Sequence, residues 1–479
     1  MVKLPEETRT KIVCTIGPAS RDPETLREMV RQGMDVARLN FSHGTHVEHA
    51  ETVERLRRIA EEESATIAVL ADLQGPKLRI GALHEPLDLE PGDWIALTSN
   101  AADGSSRVIP VPHPELVSGS AVDGHWLFGD GEIEIVVREV RPEVVIAQVL
   151  VGGRMTSYRG VHAPGATGDV SALTEKDRED AKFAVSCGVD YVALSFVQRG
   201  EDLAALRLLL DTLPDGAGTA IVAKIEKREA LDDLDAILAA ADAVMVARGD
   251  LGLEVPPQEV PIHQKEIIRR CNRRGLPVIT ATQMLQSMID HPRPTRAEAS
   301  DVANAILDGT DAVMLSEETA IGRFPIEAVI MMREISAMAE GTLSCRVDDI
   351  ALHGHDGTLS VTDAISGATA RIADEVDARL IATSTTSGYT ARQVARERPR
   401  RPLVALTRDE RVLRQLALVW GVAPLRVRTY EGTDDMLQAV SSTLVDAGFA
   451  ADDDIIVVTA GLPIGGRGTT NLLKVHRIK

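Results

Sequence analysis

The sequence is poor in aromatic residues and has no excess of positive charge, and both features exclude classes of partner. Phe, Trp and Tyr make up 3% of the 479 residues, so few rings are available to stack on nucleic-acid bases. Lys and Arg number 52 against 72 Asp and Glu, which gives a net charge of −20. This balance argues against nucleic-acid or anionic-membrane binding through bulk charge, so any phosphate site must be built locally.

Several other signals are missing. The four cysteines, Cys14, Cys187, Cys271 and Cys345, have the spacing of neither a metal site nor a redox pair. The start M-V-K-L-P-E-E-T is too polar for a signal peptide, and no run approaches the ~20 apolar residues of a membrane helix. A Walker A motif is absent, so a nucleotide must be bound in another way. We therefore expect a cytoplasmic protein with reduced thiols and no membrane or nucleic-acid partner.

Eight short apolar runs in the first 320 or so residues, most of them separated by helical patterns, predict a parallel sheet. The runs cover residues 11–18, 36–43, 66–73, 191–197, 220–226, 243–250, 277–283 and 312–319. Helix starts are indicated by Asp-Pro at 22–23 and by capping-box spacings at 174–177 and 295–298. Eight such units are the number in an α/β fold of the (β/α)8 TIM barrel type.

Polar residues concentrate at the carboxyl ends of these runs, which form the rim where active sites of such barrels lie. In chain order they are Arg38, Asn40, Ser42, Asp72, Ser195, Lys224, Glu226, Arg248, Asp250, Thr282, Ser316 and Glu318. Lys224 and Glu226 alone, on one face of one strand, would usually be a weak surface ion pair. The repetition of polar residues around one predicted rim favours an active site.

Two further units accompany the predicted barrel. Residues 77–170 contain near-alternating segments with Gly and Pro turns, which predict an inserted β-barrel-like lid domain, or a merely structural insertion. Residues 346–479 contain buried strands between helices and predict a C-terminal α/β regulatory domain. The barrel then consists of residues 1–76 and 171–345.

The predicted rim carries the groups needed for phosphoryl transfer. Glu226 and Asp250 are hard oxygen donors at adjacent strand ends, which suits Mg²⁺ (or Mn²⁺). Lys224 and Arg38 add positive charge, and no covalent nucleophile is obvious. A metal with cations and no nucleophile points to phosphoryl transfer, in which charge neutralisation and positioning do most of the catalysis.

Two more features suit small anions. If a short helix begins near Gly249, its free N–H groups would hold a carboxylate, and the Thr282 hydroxyl would orient a water or relay a proton. In the C-terminal unit, T-S-T-T-S-G precedes a helix and suggests a site for a phosphorylated effector, completed by the glycine-rich loop 461–471. The alternative is a well-capped helix start. The candidate effector residues are Thr383, Ser384, Thr385, Thr386, Ser387 and Gly388.

Seven motifs extend the argument beyond composition and spacing. They are N-F-S-H-G, D-L-Q-G-P-K-L-R, K-I-E, M-V-A-R-G-D-L-G, A-T-Q-M-L-Q-S-M, P-R-P-T-R-A-E-A-S-D-V-A-N-A and M-L-S-E-E-T-A. Together, in this order and over nearly the whole chain, they resemble the pyruvate kinase family. The resemblance implies phosphoryl transfer from phosphoenolpyruvate to ADP, giving pyruvate and ATP in the final step of glycolysis. It also implies a homotetramer that is allosterically regulated through the C-terminal domain.

The resemblance assigns roles to individual positions. Lys224 would stabilise the transferring phosphoryl group, and Glu226 and Asp250 would bind Mg²⁺. Phosphoenolpyruvate would be held by Arg38, Lys224, Gly249, Asp250 and Thr282. The proton path would involve Thr282, Ser316 and Glu318. The nucleotide would contact Asn40, His43, Arg79 and Arg159.

A monovalent-cation site is also implied, formed by Asn40, Ser42, Asp72 and the carbonyl of Leu73. Many family members carry Glu where this chain has Lys77, and those members resemble potassium-dependent enzymes. We hypothesise that the Lys77 ammonium supplies the charge that K⁺ otherwise brings, which would make K⁺ dispensable.

Three positions depart from the family pattern: Arg159 replaces Lys, His162 replaces Asn, and Glu317 replaces Gly. Two other functions stay open. A carbon–carbon lyase acting on a 2-keto acid could use the same rim, although the lid and Arg79 argue against it because a lyase needs no nucleotide. A catalytically silent sensor of a phosphorylated metabolite is opposed by the intact rim.

Overall fold

The protein contains a closed eight-stranded parallel barrel, an inserted sheet-rich unit and a C-terminal α/β unit, as predicted. The computed structural model describes residues 8–100, 107–166, 170–342, 360–463 and 468–479. Cys345, the predicted domain boundary at 345/346 and the centre of the 461–471 loop lie outside these residues. Within them, no helix combines the length and the apolarity that crossing a membrane requires.

The barrel begins with three strands that alternate with two helices. These elements are β1 (Lys11–Thr15), α1 (Pro23–Gln32), β2 (Val36–Asn40), α2 (His46–Glu62) and β3 (Ala68–Asp72). Asp22 caps α1 by accepting hydrogen bonds from two backbone N–H groups, and Pro23 occupies its first turn, as the sequence predicts. A capping box between Thr45 and Glu48 starts α2. These local signals therefore fix where the helices begin.

The inserted unit follows β3 and is built mainly from antiparallel strands. Its elements are β4 (Leu87–Leu89), β5 (Trp94–Thr98), β6 (Val108–Pro110), α3 (Pro114–Gly119), β7 (His125–Phe128), β8 (Ile133–Arg141), β9 (Val144–Val151), β10 (Gly153–Met155) and β11 (Val161–His162). Six strands form one sheet in the order β11-β7-β8-β9-β5-β6, and β10 pairs with β4. Trp126 and Phe128 are fully buried in a core of its own. We call this unit the lid.

The chain then returns to the barrel. The elements are α4 (Glu175–Ser186), β12 (Tyr191–Leu194), α5 (Gly200–Asp211), β13 (Ala220–Ile225), α6 (Arg228–Asp232), α7 (Leu234–Ala240), β14 (Ala243–Ala247), α8 (Arg248–Glu254), α9 (Val260–Arg274), β15 (Val278–Ala281), α10 (Arg296–Leu307), β16 (Ala312–Leu315), α11 (Glu317–Ala320) and α12 (Pro325–Glu340). The strands close in the order β1-β16-β15-β14-β13-β12-β3-β2. Capping boxes at 174–177 and 295–298 open α4 and α10, as predicted.

Most predicted strands run too far at their carboxyl ends. The run 312–319 differs most, because β16 ends at Leu315 and α11 begins at Glu317, which makes Glu318 helical. In the run 243–250, β14 ends at Ala247 and α8 begins at Arg248. Arg248 and Asp250 are therefore helical, and their assignment to a strand end is wrong. The guanidinium of Arg248 donates to the carbonyl oxygens of Ala281 at 3.1 Å and Thr282 at 2.8 Å. This non-local contact ties the first residue of α8 to the neighbouring strand end.

The C-terminal unit is a five-stranded sheet between helices. Its elements are α13 (Val361–Glu375), β17 (Leu380–Ser384), α14 (Tyr389–Ala395), β18 (Leu403–Thr407), α15 (Glu410–Gln415), β19 (Val422–Arg426), α16 (Gly432–Asp446), β20 (Ile455–Ala460) and β21 (Leu472–Arg477). The strand order is β19-β18-β17-β20-β21, and only the last pair is antiparallel. Buried clusters lie on both faces of this sheet.

The C-terminal unit closes the amino-terminal end of the barrel. A 3-10 turn at Leu416–Leu418 places Ala417 and Leu418 in the same buried cluster as the residues inside the barrel. The phenol of Tyr191, at the start of β12, donates to the carbonyl oxygen of Gln415 at 2.7 Å. The two units therefore share one core at this end, opposite the rim where the site is predicted.

A buried ion network joins the barrel to the C-terminal unit, and we expect its disruption to lower the free energy of unfolding strongly. The carboxylate of Asp190 is fully buried and accepts from Arg57 at 2.8 Å, Arg414 at 2.7 Å and the Val69 N–H at 2.8 Å. We expect Asp190→Ala to cost about 3–5 kcal/mol, because it leaves two cations and a buried N–H without their partner. The measurement is the thermal unfolding midpoint, with Asp211→Ala, at an exposed side chain, as the control. Equal midpoints for both variants would contradict the prediction.

Candidate active site

The centre of the candidate site is the ammonium of Lys224 at the end of β13. It lies 2.9 Å from Glu226 Oε1 and 3.2 Å from Asp72 Oδ1, and it donates to Ser195 Oγ at 2.7 Å. Burial alone would lower the pKa of Lys224, but the carboxylates of Asp72 and Glu226 outweigh it and raise the pKa. Lys224 is therefore a fixed positive charge held out of water.

A second cation lies across Asp72. Arg38, in β2, donates from Nε to Asp72 Oδ2 at 2.7 Å and from Nη1 to Thr15 Oγ1 at 2.9 Å. Burial would raise the pKa of Asp72, but Lys224 and Arg38 outweigh it and lower the pKa. Asp72, on β3, is thus an ionised bridge that holds both cations, one on β2 and one on β13, at the carboxyl end of the barrel.

Glu226 and Asp250 form the candidate metal site. Glu226 Oε2 accepts from the Phe196 N–H at 2.7 Å, while Oε1 faces Lys224. Burial raises the pKa of Glu226 although Lys224 opposes this, and the negative charge of Asp250 raises it further. Two hard oxygen donors that repel each other at a partly buried rim suit a divalent cation. No group of three or more His, Cys, Asp or Glu side chains able to hold a metal occurs in the described part of the chain, so substrate and water would complete the shell.

The helix α8 meets Thr282 beside this pair. The Gly249 N–H donates to Thr282 Oγ1 at 2.8 Å, and Thr282 Oγ1 donates to the Ala281 carbonyl at 2.7 Å. Thr282 and Gln283 have left-handed backbones, with φ of 68° and 55°. Such values are rare for residues other than glycine, and for a β-branched residue they store strain of the kind found at functional sites.

Ser316 follows the next strand, β16, and Glu318 lies in the short helix α11 that begins directly after it. Glu318 accepts from the Ser316 N–H at 2.7 Å and the Leu285 N–H at 3.0 Å, and burial raises its pKa. Among the residues that the structure describes, none accepts from or donates to the buried Ser316 Oγ. The hydroxyl is therefore available to a substrate or a water. Glu317, the departure from the family pattern, is exposed.

Two of the predicted nucleotide-binding residues lie in the lid, and the other two lie on the barrel. Arg79 donates to the Tyr158 carbonyl at 2.8 Å, and Arg159 pairs with Glu132 and donates to the Arg154 carbonyl at 2.8 Å, all within the lid. These hydrogen bonds do not reach the Lys224 cluster. Asn40 is the last residue of β2 on the barrel, and the exposed His43 follows that strand. The structure thus joins predicted metal and phosphoenolpyruvate residues by direct contacts, whereas the contacts given above for the two lid arginines stay within the lid.

The predicted monovalent-cation ligands are adjacent but already engaged. Asn40 is paired in register with Asp72, and its Oδ1 accepts from the Ser42 N–H at 3.0 Å. The Leu73 carbonyl accepts from Ser195 Oγ at 2.7 Å. Asn40 Oδ1 and the Leu73 carbonyl oxygen therefore each already accept a hydrogen bond from the protein itself.

Lys77 lies among other cations. Burial lowers its pKa, and the charges of Arg79 and Lys176 lower it further. Lys176 in turn donates to the Phe41 carbonyl at 3.0 Å, next to the predicted cation ligands. Across the described residues, no carboxylate lies within 4.0 Å of Lys77. A negatively charged ligand at this edge of the site would therefore be attracted.

Sequence patterns gave no role to several residues of this site. Thr15 and Ser195 lie at strand ends and receive the hydrogen bonds of Arg38 and Lys224. Ser195 was visible as a polar strand end, but its partner follows only from the register of β12 and β13. A buried pair also links Lys227 to Glu254 at 2.6 Å, and the lid residue His162 approaches Glu254 at 3.9 Å.

The candidate effector residues do not form one open loop. Thr383 and Ser384 belong to β17, and their hydroxyls bond to the Val404 carbonyl and to the Tyr430 phenol. Thr385 is buried as well. The segment 386–388 lines a cavity between the C-terminal unit and the barrel. That segment is the part of the predicted site that a small molecule can reach.

Two family models match this chain. "Pyruvate kinase, barrel domain" matches residues 7–329, and "Pyruvate kinase, alpha/beta domain" matches residues 363–476. A protein named pyruvate kinase from Agrobacterium vitis is 45% identical over 98% of this chain and 97% of its own. One from Geobacillus stearothermophilus is 44% identical over 98% of this chain and 80% of its own.

The solved structures agree. The crystal structure of a pyruvate kinase from Cryptosporidium parvum superimposes with a TM-score of 0.92 at 34% identity, over 99% of this chain and 97% of its own. Barrel, lid and C-terminal unit are thus shared in one arrangement.

Proposed function

Because the chain belongs to the pyruvate kinase family, and is therefore a phosphotransferase, we propose that it transfers the phosphoryl group of phosphoenolpyruvate to ADP. The bond between phosphorus and the enol oxygen breaks, and a bond to a terminal phosphate oxygen of ADP forms. One proton is added to the former enol carbon. The products are pyruvate and ATP, and the reaction is the last step of glycolysis.

The observation that carries this proposal is the fixed ammonium of Lys224 beside Asp72, Glu226 and Ser195. Charge on the equatorial oxygens of a phosphoryl group in transfer is stabilised by preorganised cations in a site with little water. Lys224 supplies such a cation without reorganisation. Arg38, held by Asp72 and Thr15, supplies a second one for the phosphate of phosphoenolpyruvate.

Glu226 and Asp250 would hold Mg²⁺ or Mn²⁺, as their carboxylates are the ligands such ions prefer. When bound, the ion supplies positive charge to the oxygens of the phosphoryl group and of the nucleotide. Glu226 is oriented by Phe196 and by Lys224, so its carboxylate is preorganised for one position.

The remaining rim residues bind the carboxylate and handle the proton. The N–H groups of Gly249 and Asp250 would hold the carboxylate of phosphoenolpyruvate, and the Gly249 N–H would share this role with its bond to Thr282 Oγ1. Thr282 would orient a water at the carbon that is protonated. Ser316, with its free hydroxyl, and Glu318 continue a proton path toward solvent.

The nucleotide would lie between barrel and lid, against Asn40, His43, Arg79 and Arg159. Closure of the lid would bring the arginines to the phosphates and exclude water. Regulation by a phosphorylated effector of the C-terminal unit, assembly as a homotetramer and a cytoplasmic location complete the proposal. They rest on the family resemblance.

A specific prediction concerns potassium. If the Lys77 ammonium replaces K⁺, turnover in potassium-free buffer will be close to turnover in KCl at equal ionic strength. Lys77→Glu, which restores the residue of many family members, should then make the enzyme depend on K⁺. Steady-state rates in KCl and in a non-coordinating salt measure this. A many-fold rise of the wild-type rate with KCl would refute it.

The experiment that tests the function is pyruvate formation from phosphoenolpyruvate and ADP with Mg²⁺ in potassium-free buffer. Robust turnover that requires ADP supports phosphoryl transfer. Cleavage of a 2-keto acid without a nucleotide would support the lyase instead. If neither reaction occurs after KCl and phosphorylated effectors are added, the protein is the silent sensor.

A further inference from the structure

The turn between β7 and β8, residues 129–132, places an acidic side chain on one of the two lid arginines predicted to meet the nucleotide. Glu132 Oε2 pairs with Nη2 of Arg159, and Arg159 Nη1 also donates to the Arg154 carbonyl at 2.8 Å. Arg159 Nε is buried and, in the part of the chain that the structure describes, has no hydrogen-bond partner. The charge of Arg159 is thus neutralised by Glu132, to which neither the sequence patterns nor the family resemblance gives a role.

The backbone of this turn leaves room for the pair. Gly129 and Gly131 have left-handed backbones, with φ of 66° and 83°, which glycine adopts without the strain that other residues meet. A Cβ at Gly129 would lie 2.8 Å from Nε and Nη2 of Arg159 and 2.9 Å from Glu132 Oε2. Any other side chain at this position would therefore displace the two charged groups.

The same turn meets the barrel beside the candidate active site. A Cβ at Gly131 would lie 3.2 Å from Cδ2 of Leu253. Leu253 belongs to α8, whose first turn contains Gly249 and Asp250, the residues proposed for substrate and metal binding. Glu132 follows Gly131 directly, so it lies at the edge of the lid that borders the proposed nucleotide site.

The other lid arginine, Arg79, has no acidic partner. It forms an antiparallel bridge with Gly160, the residue after Arg159, so the two arginines lie on paired segments. Arg79 Nη1 donates to the Tyr158 carbonyl at 2.8 Å, and across the described ranges no carboxylate lies within 4.0 Å of its guanidinium. A phosphate that binds at both arginines therefore competes with a carboxylate at Arg159 and with none at Arg79.

Glu132 can leave Arg159 at a small cost. Its side chain is 64% exposed, whereas that of Arg159 is 19% exposed, so the carboxylate can turn into water while the arginine stays in place. Ion pairs with a partner this exposed contribute little stability. A nucleotide polyphosphate carries several negative charges, and its oxygens accept guanidinium donors in pairs, so it can displace a single carboxylate.

We propose that Glu132 is an internal competitor of the nucleotide. It holds Arg159 while the nucleotide site is empty, releases it to a phosphate of ADP, and pairs with it again when ATP leaves. Glu132 therefore weakens the binding of both nucleotides and favours release of the product. Because it acts through Arg159, it is a positioning residue and not a catalytic one. The proposal rests on the proposed function in one respect, namely that Arg159 contacts the nucleotide.

Calorimetric titration of the full chain with ADP and with ATP, in the presence of Mg²⁺, measures this competition. Glu132→Gln keeps the shape of the side chain and removes its charge. We expect both nucleotides to bind about two- to five-fold more tightly, which is the range that an exposed ion pair contributes. Inhibition of turnover by ATP should strengthen by the same factor. An ion pair that only stabilised the lid would instead lower the unfolding midpoint and leave both affinities unchanged.

Glu139→Gln is the matched control. Glu139 lies toward the other end of β8 and pairs with Arg141 at 2.9 Å, so this change removes the same charge from the same lid. Its ADP affinity should equal that of the wild type. A double-mutant cycle with Arg159→Gln tests whether Glu132 acts through Arg159. Arg159→Gln should itself weaken ADP binding, and in that background Glu132→Gln should alter the affinity no more than Glu139→Gln does.

Two results would overturn the proposal and leave phosphoryl transfer standing. They are an unchanged or weaker ADP affinity of Glu132→Gln, and a gain in affinity that persists in the absence of Arg159. If neither the wild type nor Glu132→Gln binds ADP or ATP, the competitor role and the proposed function are both wrong. Tighter nucleotide binding by Glu132→Gln in a chain that forms no pyruvate would refute phosphoryl transfer and support the competitor role.

Discussion

Lys224→Met is expected to abolish turnover, with a fall in kcat of at least about 10³-fold, because it removes the cation that we propose stabilises the transferring phosphoryl group. The substitution also leaves the carboxylates of Asp72 and Glu226 buried without their shared partner. Both will repel the incoming phosphate. Single-turnover formation of pyruvate measures the chemical step, and titration of phosphoenolpyruvate separates binding from chemistry.

A matched control is available on the opposite end of the same barrel. Lys11 is also buried, with its ammonium 3.6 Å from Asp35 and donating to the Val422 carbonyl at 3.0 Å. Lys11→Met should lower the unfolding midpoint, as Lys224→Met does, yet keep kcat close to the wild-type value. If the two variants lose activity equally, the effect of Lys224 is structural and its catalytic role is wrong.

The second large effect is expected for Glu226→Gln. The amide keeps the shape of the side chain and removes one of the two charged groups that we propose as metal ligands. Changes outside the ligand sphere already cost about 10–100-fold in metal affinity, so the loss of a direct ligand should raise the Mg²⁺ requirement about 100-fold or more. The measurements are the rate as a function of free Mg²⁺ and direct binding of Mn²⁺ by electron paramagnetic resonance, which needs no turnover.

Glu254→Gln serves as the control for this change. Glu254 is a buried carboxylate at the end of α8, paired with Lys227 at 2.6 Å, and it has no assigned part in metal binding. Its variant should bind Mn²⁺ like the wild type. An unaltered metal dependence of Glu226→Gln, or an equal change in both variants, would remove Glu226 from the metal site.

The architecture and the centre of the site follow from local sequence patterns. Apolar runs and capping boxes such as Thr295 to Glu298 are short-range signals, and each acts within a few residues. In a parallel barrel the carboxyl ends of all strands form one rim, and this does not depend on the loops. The sequence alone therefore assigns Lys224 and Glu226 to that rim. The rim residues already indicated phosphoryl transfer, and the recognised motifs added the expected substrates and the roles of individual residues.

Other features depend on contacts that sequence spacing does not encode. At the change from strand to helix, the Arg248 side chain donates hydrogen bonds to the carbonyl oxygens of Ala281 and Thr282, at the end of the next strand. The partner of Ser195 depends on register, and the proximity of Lys176 to Lys77 depends on where the lid leaves the barrel. The cavity beside residues 386–388 exists only because two units meet. Each of these requires the positions of residues far apart in the chain.

The left-handed backbones of Thr282 and Gln283 have a practical consequence for the directed evolution of thermostable variants. Each costs on the order of 1–3 kcal/mol, and glycine at either position would recover part of it. A screen that rewards survival at high temperature would therefore favour Thr282→Gly and discard the hydroxyl with it. Mutant libraries intended for industrial use should keep Thr282 unchanged and introduce stabilising substitutions at other positions.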